Sequence, residues 1–192
     1  MFDRIVRNWV YGGFLGGILL AALTPVLARQ WPSWLTAVWL LLPLYMVHQY
    51  EEFDDDRFLR FVKERIGKGK GLLSHSAVFV LNVFGVWGIL GVAFWLAATV
   101  RPGLGLMAVY LVLVNALVHI MAALVLRVYN PGLLTAVLGF APLGVWGWLK
   151  LQAAGASGRD HALGLALGVG AHLVILGYSR AHLLRQRQIA AS

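Results

Sequence analysis

The chain has no cysteine, and only 12% of its 192 residues are charged. Without cysteine there are no disulfides, no thiolate ligands and no thiol nucleophile, so any ligand set must be built from imidazole, carboxylate, amide or hydroxyl groups. The scarcity of charge lies well below the roughly one-quarter charged residues of ordinary soluble domains. With 60% apolar residues and a positive mean hydropathy, the sequence reads as an integral membrane protein. Acidic residues are the rarer kind: eight Asp and Glu stand against 16 Lys and Arg, for a net charge of +8. That excess does not point to nucleic acid, because no soluble basic domain carries it. The Lys and Arg fall mainly in loops and tails, as membrane orientation requires.

What the chain does have is a series of long apolar runs. At roughly 20 residues per crossing, six spans are expected in a single transmembrane domain over 1–192, at about 10–28, 34–50, 76–100, 104–126, 133–151 and 162–178. Arg4 and Arg7 ahead of the first run imitate a signal peptide, but the run is long for an h-region and a second span follows at once, so it is expected to be retained. The one long interruption interleaves Arg57, Arg60, Lys63 and Arg65 with Phe58, Phe61 and Val62. It reads as a short amphipathic helix lying in the interface over about 53–66. The Gly67–Gly71 stretch then breaks that helix and leaves Lys68 and Lys70 near headgroups.

Basic residues set the orientation. One face receives Arg4, Arg7, the six bases of the loop between spans two and three, Arg127, Arg180, Arg185 and Arg187; the other receives only Arg29, Arg101, Lys150 and Arg159. The fold expected is therefore an all-α, polytopic six-helix bundle with both termini cytoplasmic. Trp9, Trp31, Trp34, Trp146 and Trp148 sit toward span ends as interfacial anchors, whereas Trp87 and Trp95 read as packing residues.

This topology gives the rare polar residues a common depth. His48, Glu51 and Glu52 end span two, His75 and Asn82 begin span three, Asn115 and His119 lie in the inner half of span four, and His172 reaches a similar level in span six. A His and a carboxylate at i, i+3 or i+4 share one helix face and can grip a metal or pass a proton. Each residue also has a plainer reading. Glu51 and Glu52 can begin a solvated loop continuous with Asp54–Asp56, His75 can hydrogen-bond at the boundary, and Asn82 and Asn115 can link helices. His119 and His172 resist that reading, because ionisable groups within apolar runs are costly and mark function. His161 and His182 read as surface groups. Asn130 is expected to be the N-cap of span five with Pro131 at its first position, leaving Tyr129 as the neighbour able to point back into the site. Gly12, Gly13, Gly16, Gly17, Gly164, Gly168 and Gly170 suit close helix approach.

The residues His48-Gln49-Tyr50-Glu51-Glu52, the segment Asn115 to Ile120 and the run Tyr129-Asn130-Pro131-Gly132-Leu133-Leu134-Thr135 resemble the bacterial membrane proteins described by a His-x-x-Glu-Glu motif, a group of unknown function. The likeness extends over nearly the whole chain. It implies that these positions form a shared site in a multi-pass protein of the bacterial inner membrane, and it supplies no reaction.

The residues themselves suggest a metal-dependent intramembrane enzyme acting on a membrane lipid or another hydrophobic small molecule. His48, Glu52, His119 and His172 would hold a divalent metal, Zn or Fe, in a set too large for a minimal zinc site and suited to a dinuclear one, with Glu51 and His75 as catalytic groups and Asn82, Asn115, Tyr129 and Asn130 in support. Zinc would favour hydrolysis of a lipid ester or amide, and iron the oxidation of an acyl or isoprenoid chain. The alternatives are a metal-free His/Glu acid–base isomerase of an apolar substrate and a transporter or carrier of metal, protons or haem. The transporter reading is weakened by the near absence of polar groups in the outer leaflet.

Overall fold

The structure, a computed structural model, describes residues 2–189, and among them the secondary structure is helical throughout. Six long helices and one short one follow in order: α1 (Phe2–Leu27), α2 (Ser33–Phe53), the short α3 (Arg57–Arg65), α4 (His75–Thr99), α5 (Leu106–Leu126), α6 (Leu133–Ala153) and α7 (Gly158–Ile189). A tight turn at Pro102–Gly105 leads into α5. Ser74 caps α4, its Oγ accepting the Ala77 N–H at 3.2 Å.

The core lies where α2, α4, α5 and α6 meet, around Val38, Leu41, Leu90, Val109, Val112 and Phe140. The outer surface is also apolar. Leu15 and Val26 of α1, Phe84 and Trp95 of α4, and Leu173, Val174 and Leu176 of α7 are all exposed. In water so continuous a greasy surface would aggregate, whereas against hydrocarbon it is the matching surface and the helices satisfy their own backbone. Five helices, α1, α4, α5, α6 and α7, are long and apolar enough to cross a membrane. α2 is the exception, and its position explains why: it is flanked by α1, α4, α5 and α6, and it buries His48, Gln49 and Glu52 among them. A helix shielded from lipid on most sides need not be apolar all round.

Small residues set the close approaches. A side chain at Gly17 would stand 2.9 Å from the backbone oxygen of Pro43 on α2, and one at Gly164 or Gly168 would stand 2.7 Å and 2.9 Å from the Leu106 and Tyr110 oxygens on α5. The Gly-x-x-x-Gly pair of α7 is therefore spent on an internal contact. Gly12, Gly16 and Gly170 meet nothing within 4 Å and do not serve that purpose.

Two helices widen into π turns, α4 over Val80–Trp87 and α6 over Ala136–Phe140. Such turns concentrate at functional sites, and both of these lie against α2. The segment before α3 is a single turn at Asp54–Asp56 in which Asp55 (φ 52) and Asp56 (φ 54) adopt the left-handed conformation. Its acids are not simply solvated. Asp54 pairs with Arg57, Asp55 Oδ2 takes Arg60 at 2.9 Å, and the Arg60 guanidinium holds the Asp55 carboxyl below its ordinary range.

Candidate metal centre

The His-x-x-Glu-Glu segment ends α2 in regular helix, so residues 48 and 52 share a face while residue 51 is turned about 100° from residue 52. His48 is fully buried and Glu52 is 6% exposed. α5 contributes His119, 4% exposed, to the same point. One ligand atom from each of His48, Glu52 and His119 lies within 4.8 Å of the other two. Glu52 bridges the imidazoles, with Oε1 3.2 Å from His119 Nε2 and Oε2 3.4 Å from His48 Nε2.

The surrounding hydrogen bonds determine which ring nitrogens carry protons. The Thr135 hydroxyl donates to Glu51 Oε2 at 2.5 Å, so toward His48 Nδ1, 2.7 Å away, it can only accept. Asn130 Nδ2 donates to the His119 backbone oxygen at 3.0 Å, which turns its Oδ1 toward His119 Nδ1 at 2.6 Å. Both Nδ1 atoms are thus assigned as carrying a proton, and both Nε2 atoms are turned toward Glu52. Metal-binding histidines are oriented in this way, by giving the other N–H to an oxygen in an outer shell. His48 Nε2, with no solvent access, makes no hydrogen bond.

α6 supplies the walls. Phe140 packs its ring 4.4 Å from the His48 ring, and Thr135 holds His48 Nδ1. In an α-helix residues five apart point about 140° away from each other; the π turn between them lets Thr135 and Phe140 both reach His48. The same device recurs one residue along α2. Gln49, fully buried, donates to Asn82 Oδ1 at 2.8 Å and accepts from Trp87 Nε1 at 2.6 Å, and Asn82 and Trp87 are again five apart on a π turn. Gly132, at φ +99, closes the site, since a side chain there would stand 2.6 Å from His119 Cε1 and 2.8 Å from His48 Cε1. Phe58 of α3 lies over the His119 ring at 6.2 Å.

The expected site residues divide accordingly. His48, Glu52 and His119 come together. Glu51 does not join them: it accepts from the Leu134 N–H at 2.9 Å, the Thr135 N–H at 2.8 Å, the Thr135 hydroxyl and the Tyr129 hydroxyl at 2.7 Å, an anion seated on the N-terminus of α6. Burial and the Glu51 carboxylate push the Tyr129 phenol up to about 12, which keeps it a donor. His172 stands outside the group and gives its Nδ1–H to the Gly168 oxygen one turn earlier, at 2.8 Å. His75 is exposed and pairs with Asp56 at 3.0 Å. Asn82 serves Gln49, and Asn115 Nδ2 donates to the Tyr45 hydroxyl at 2.8 Å. Asn130 corrects an expectation: α6 begins at Leu133 behind Gly132, with Asn130 1% exposed and committed to His119 rather than capping. Phe140 was missed, and Gln49, Gly132 and Thr135 were named only within the motif segments, without a role. Gln49 lies inside the His-x-x-Glu-Glu motif and Gly132 and Thr135 in the Tyr129–Thr135 run, whereas no signal pointed to Phe140.

Residues 39–147 match the family described as a protein of unknown function with HXXEE motif. The chain belongs to that HXXEE family. No curated protein and no solved structure matches it. The matched stretch runs from the middle of α2 to the middle of α6 and so contains every HXXEE residue placed above at the His48–Glu52–His119 centre.

Proposed function

We propose that this HXXEE protein is a metal-dependent intramembrane enzyme acting on a lipidic substrate. The observation that carries the reading is the set of three ligand groups, two imidazole Nε2 atoms and one carboxylate, aimed at one another in a buried space with each imidazole's Nδ1 already committed to an oxygen. Such a set needs a positive charge to balance its carboxylate, a proton or a metal cation, and a divalent metal ion engages all three groups at once. Two His and one carboxylate, with a further position open, are the donor set of hydrolytic zinc centres and of non-haem iron centres.

When bound, zinc supplies a water acidified to near neutrality, and iron supplies redox chemistry. The chain contributes the rest. His48 and His119 hold their rings through Thr135 and Asn130, Glu52 offers one oxygen as ligand and the other as proton acceptor, and Phe140 and Phe58 limit water. Glu51 acts through Thr135, holding the tautomer of His48 rather than taking a substrate proton. Around this site the reading keeps six spans with α2 among them, both termini in the cytoplasm of a bacterial inner membrane, and α3 in the interface, its Arg57, Arg60, Lys63 and Arg65 toward headgroups.

The test is turnover in liposomes of bacterial polar lipid, with the protein loaded with zinc or, with reductant and oxygen supplied, with iron(II). Lipid mass spectrometry should show released acyl chains in the first case or oxygen insertion in the second, lost in Glu52→Gln. Metal-loaded protein that leaves the lipid unchanged would reject the enzyme reading. If the same vesicles then show ion or proton flux that requires Glu52, the centre belongs to a carrier.

A further inference from the structure

One turn along the same two helices, Tyr45 of α2 and Asn115 of α5 meet. Tyr45 precedes His48 by three residues and Asn115 precedes His119 by four, so this pair lies about 5 Å along the helix axes from the triad. Tyr45 is 3% exposed, with its ring 5.4 Å from that of His48 and 4.9 Å from that of Phe140. Asn115 Nδ2 donates to the Tyr45 hydroxyl at 2.8 Å.

That bond leaves hydrogen-bonding capacity unused on both side chains. Asn115 Oδ1 is buried and accepts nothing, and the Tyr45 hydroxyl proton reaches no acceptor among the described residues. Rotating the amide does not remove the deficit. Tyr45 would then donate to Oδ1, and Nδ2 would become the orphan beside a phenol oxygen able to accept. One hydrogen bond to a phenol cannot satisfy both ends of an amide, and leaving a buried polar atom unmade is costly. The missing partner must give and receive a hydrogen bond at nearly one point, which a hydroxyl group does in either amide orientation. An anionic group fits poorly, because α2 and α5 contain no Lys or Arg and the nearest charged residues along α2 are the acidic pair Glu51 and Glu52.

We infer that Tyr45 and Asn115 form a subsite for the hydroxyl group of a membrane-soluble alcohol. This rests on the enzyme reading for one step only: it makes that alcohol the substrate class, with the reacting carbon or ester about 5 Å from the hydroxyl, at the His48–Glu52–His119 centre. Binding of the hydroxyl itself does not depend on a metal.

The experiment uses the full chain in lipid nanodiscs and a long-chain alcohol with a terminal trifluoromethyl group, followed by fluorine NMR, with the matching fluorinated alkane as control. The alcohol should give a saturable shift and the alkane none. Tyr45→Phe, which removes one oxygen and keeps the ring, should weaken alcohol binding about tenfold, the ratio one buried hydrogen bond carries. Asn115→Ala should do the same, and both should retain wild-type metal content. Alcohol and alkane partitioning alike, or Tyr45→Phe binding the alcohol as wild type does, would overturn the subsite and leave the orphan atoms to a buried water. Saturable, Tyr45-dependent binding by a protein that takes up no metal would keep the subsite and remove the metal reading, and full metal content without hydroxyl-dependent binding would do the reverse.

Discussion

The two ends of the bundle both bury ionisable side chains, yet they solve the resulting electrostatic problem in opposite ways. At the end away from the HXXEE motif, Asp160 is 3% exposed, but its Oδ2 accepts the Ser157 N–H at 2.9 Å and the Ser157 hydroxyl at 2.7 Å. Its Oδ1 lacks a well-directed hydrogen bond but faces the Arg101 guanidinium at 2.7 Å, so its charge is met. Beside it both nitrogens of His161 are used, one by the Tyr110 hydroxyl at 2.9 Å and one by Gln152 at 2.7 Å. The acid has its base, and every ring nitrogen has its oxygen. At the motif end there is a carboxylate with no Lys or Arg partner among the described residues and two imidazoles whose inner nitrogens point at it. Burial of charge alone therefore does not mark a site in this protein. The mark is how the surrounding chain meets the buried charge, and by that measure the Asp160 cluster is a clasp tying α7 to the α4–α5 turn, whereas the His48–Glu52–His119 cluster has the geometry that could hold a metal ion.

That contrast can be broken by mutation. The largest effect expected is in His119→Ala, which should lower metal affinity by about a hundredfold or more and bring bound zinc or iron to background in elemental analysis, since it removes one of only three protein ligands. Thr135→Val should come next: it keeps the ring of His48 but deletes the acceptor that selects its tautomer, and a loss of about 10- to 100-fold in metal affinity by competitive chelator titration is expected. Thr135→Ser should restore it. Asp160→Ala should leave metal content at the wild-type value and instead destabilise the protein by about 2 kcal/mol in thermal unfolding, because Arg101 is half exposed and can turn to solvent while the Ser157 donors lose their acceptor. If Asp160→Ala removed metal as well, the two ends would be one coupled system and the contrast would fail. The smallest effect belongs to His172→Ala, expected to change metal affinity less than about threefold, because its Nδ1 already serves its own helix.

His172 also shows how far the sequence could be read. Apolar runs about 20 residues long made the helices plain, and the i, i+4 spacing of His48 and Glu52, with His119 at the same depth, led to the three residues that meet. Depth along a helix is countable from sequence. Azimuth is not, because it depends on which neighbour each helix packs against, and on that point His172 and Glu51 went astray. Glu51 differs from Glu52 by one residue, and that rotation carries it to the N-terminus of α6. Asn130 was misread for a related reason: Asn-Pro-Gly looks like a helix start, but the positive φ of Gly132 moves the start to Leu133 and frees the Asn130 amide for His119. Thr135 and Phe140 could not be paired by helical spacing at all, because only the π turn brings residues five apart to one imidazole. His161, expected as a surface group, is instead held on both sides by Tyr110 and Gln152. Trp87, expected only to pack, donates to Gln49.

The central claim is that His48, Glu52 and His119 hold one metal ion as a unit, and X-ray absorption at the metal edge of the nanodisc-reconstituted protein tests it most directly. The account predicts a first shell of nitrogen and oxygen at about 2.0–2.2 Å with the outer-shell scattering of two imidazoles, reduced to one imidazole or lost altogether in His48→Ala. A shell without imidazole scattering, or one unchanged by that substitution, would contradict it.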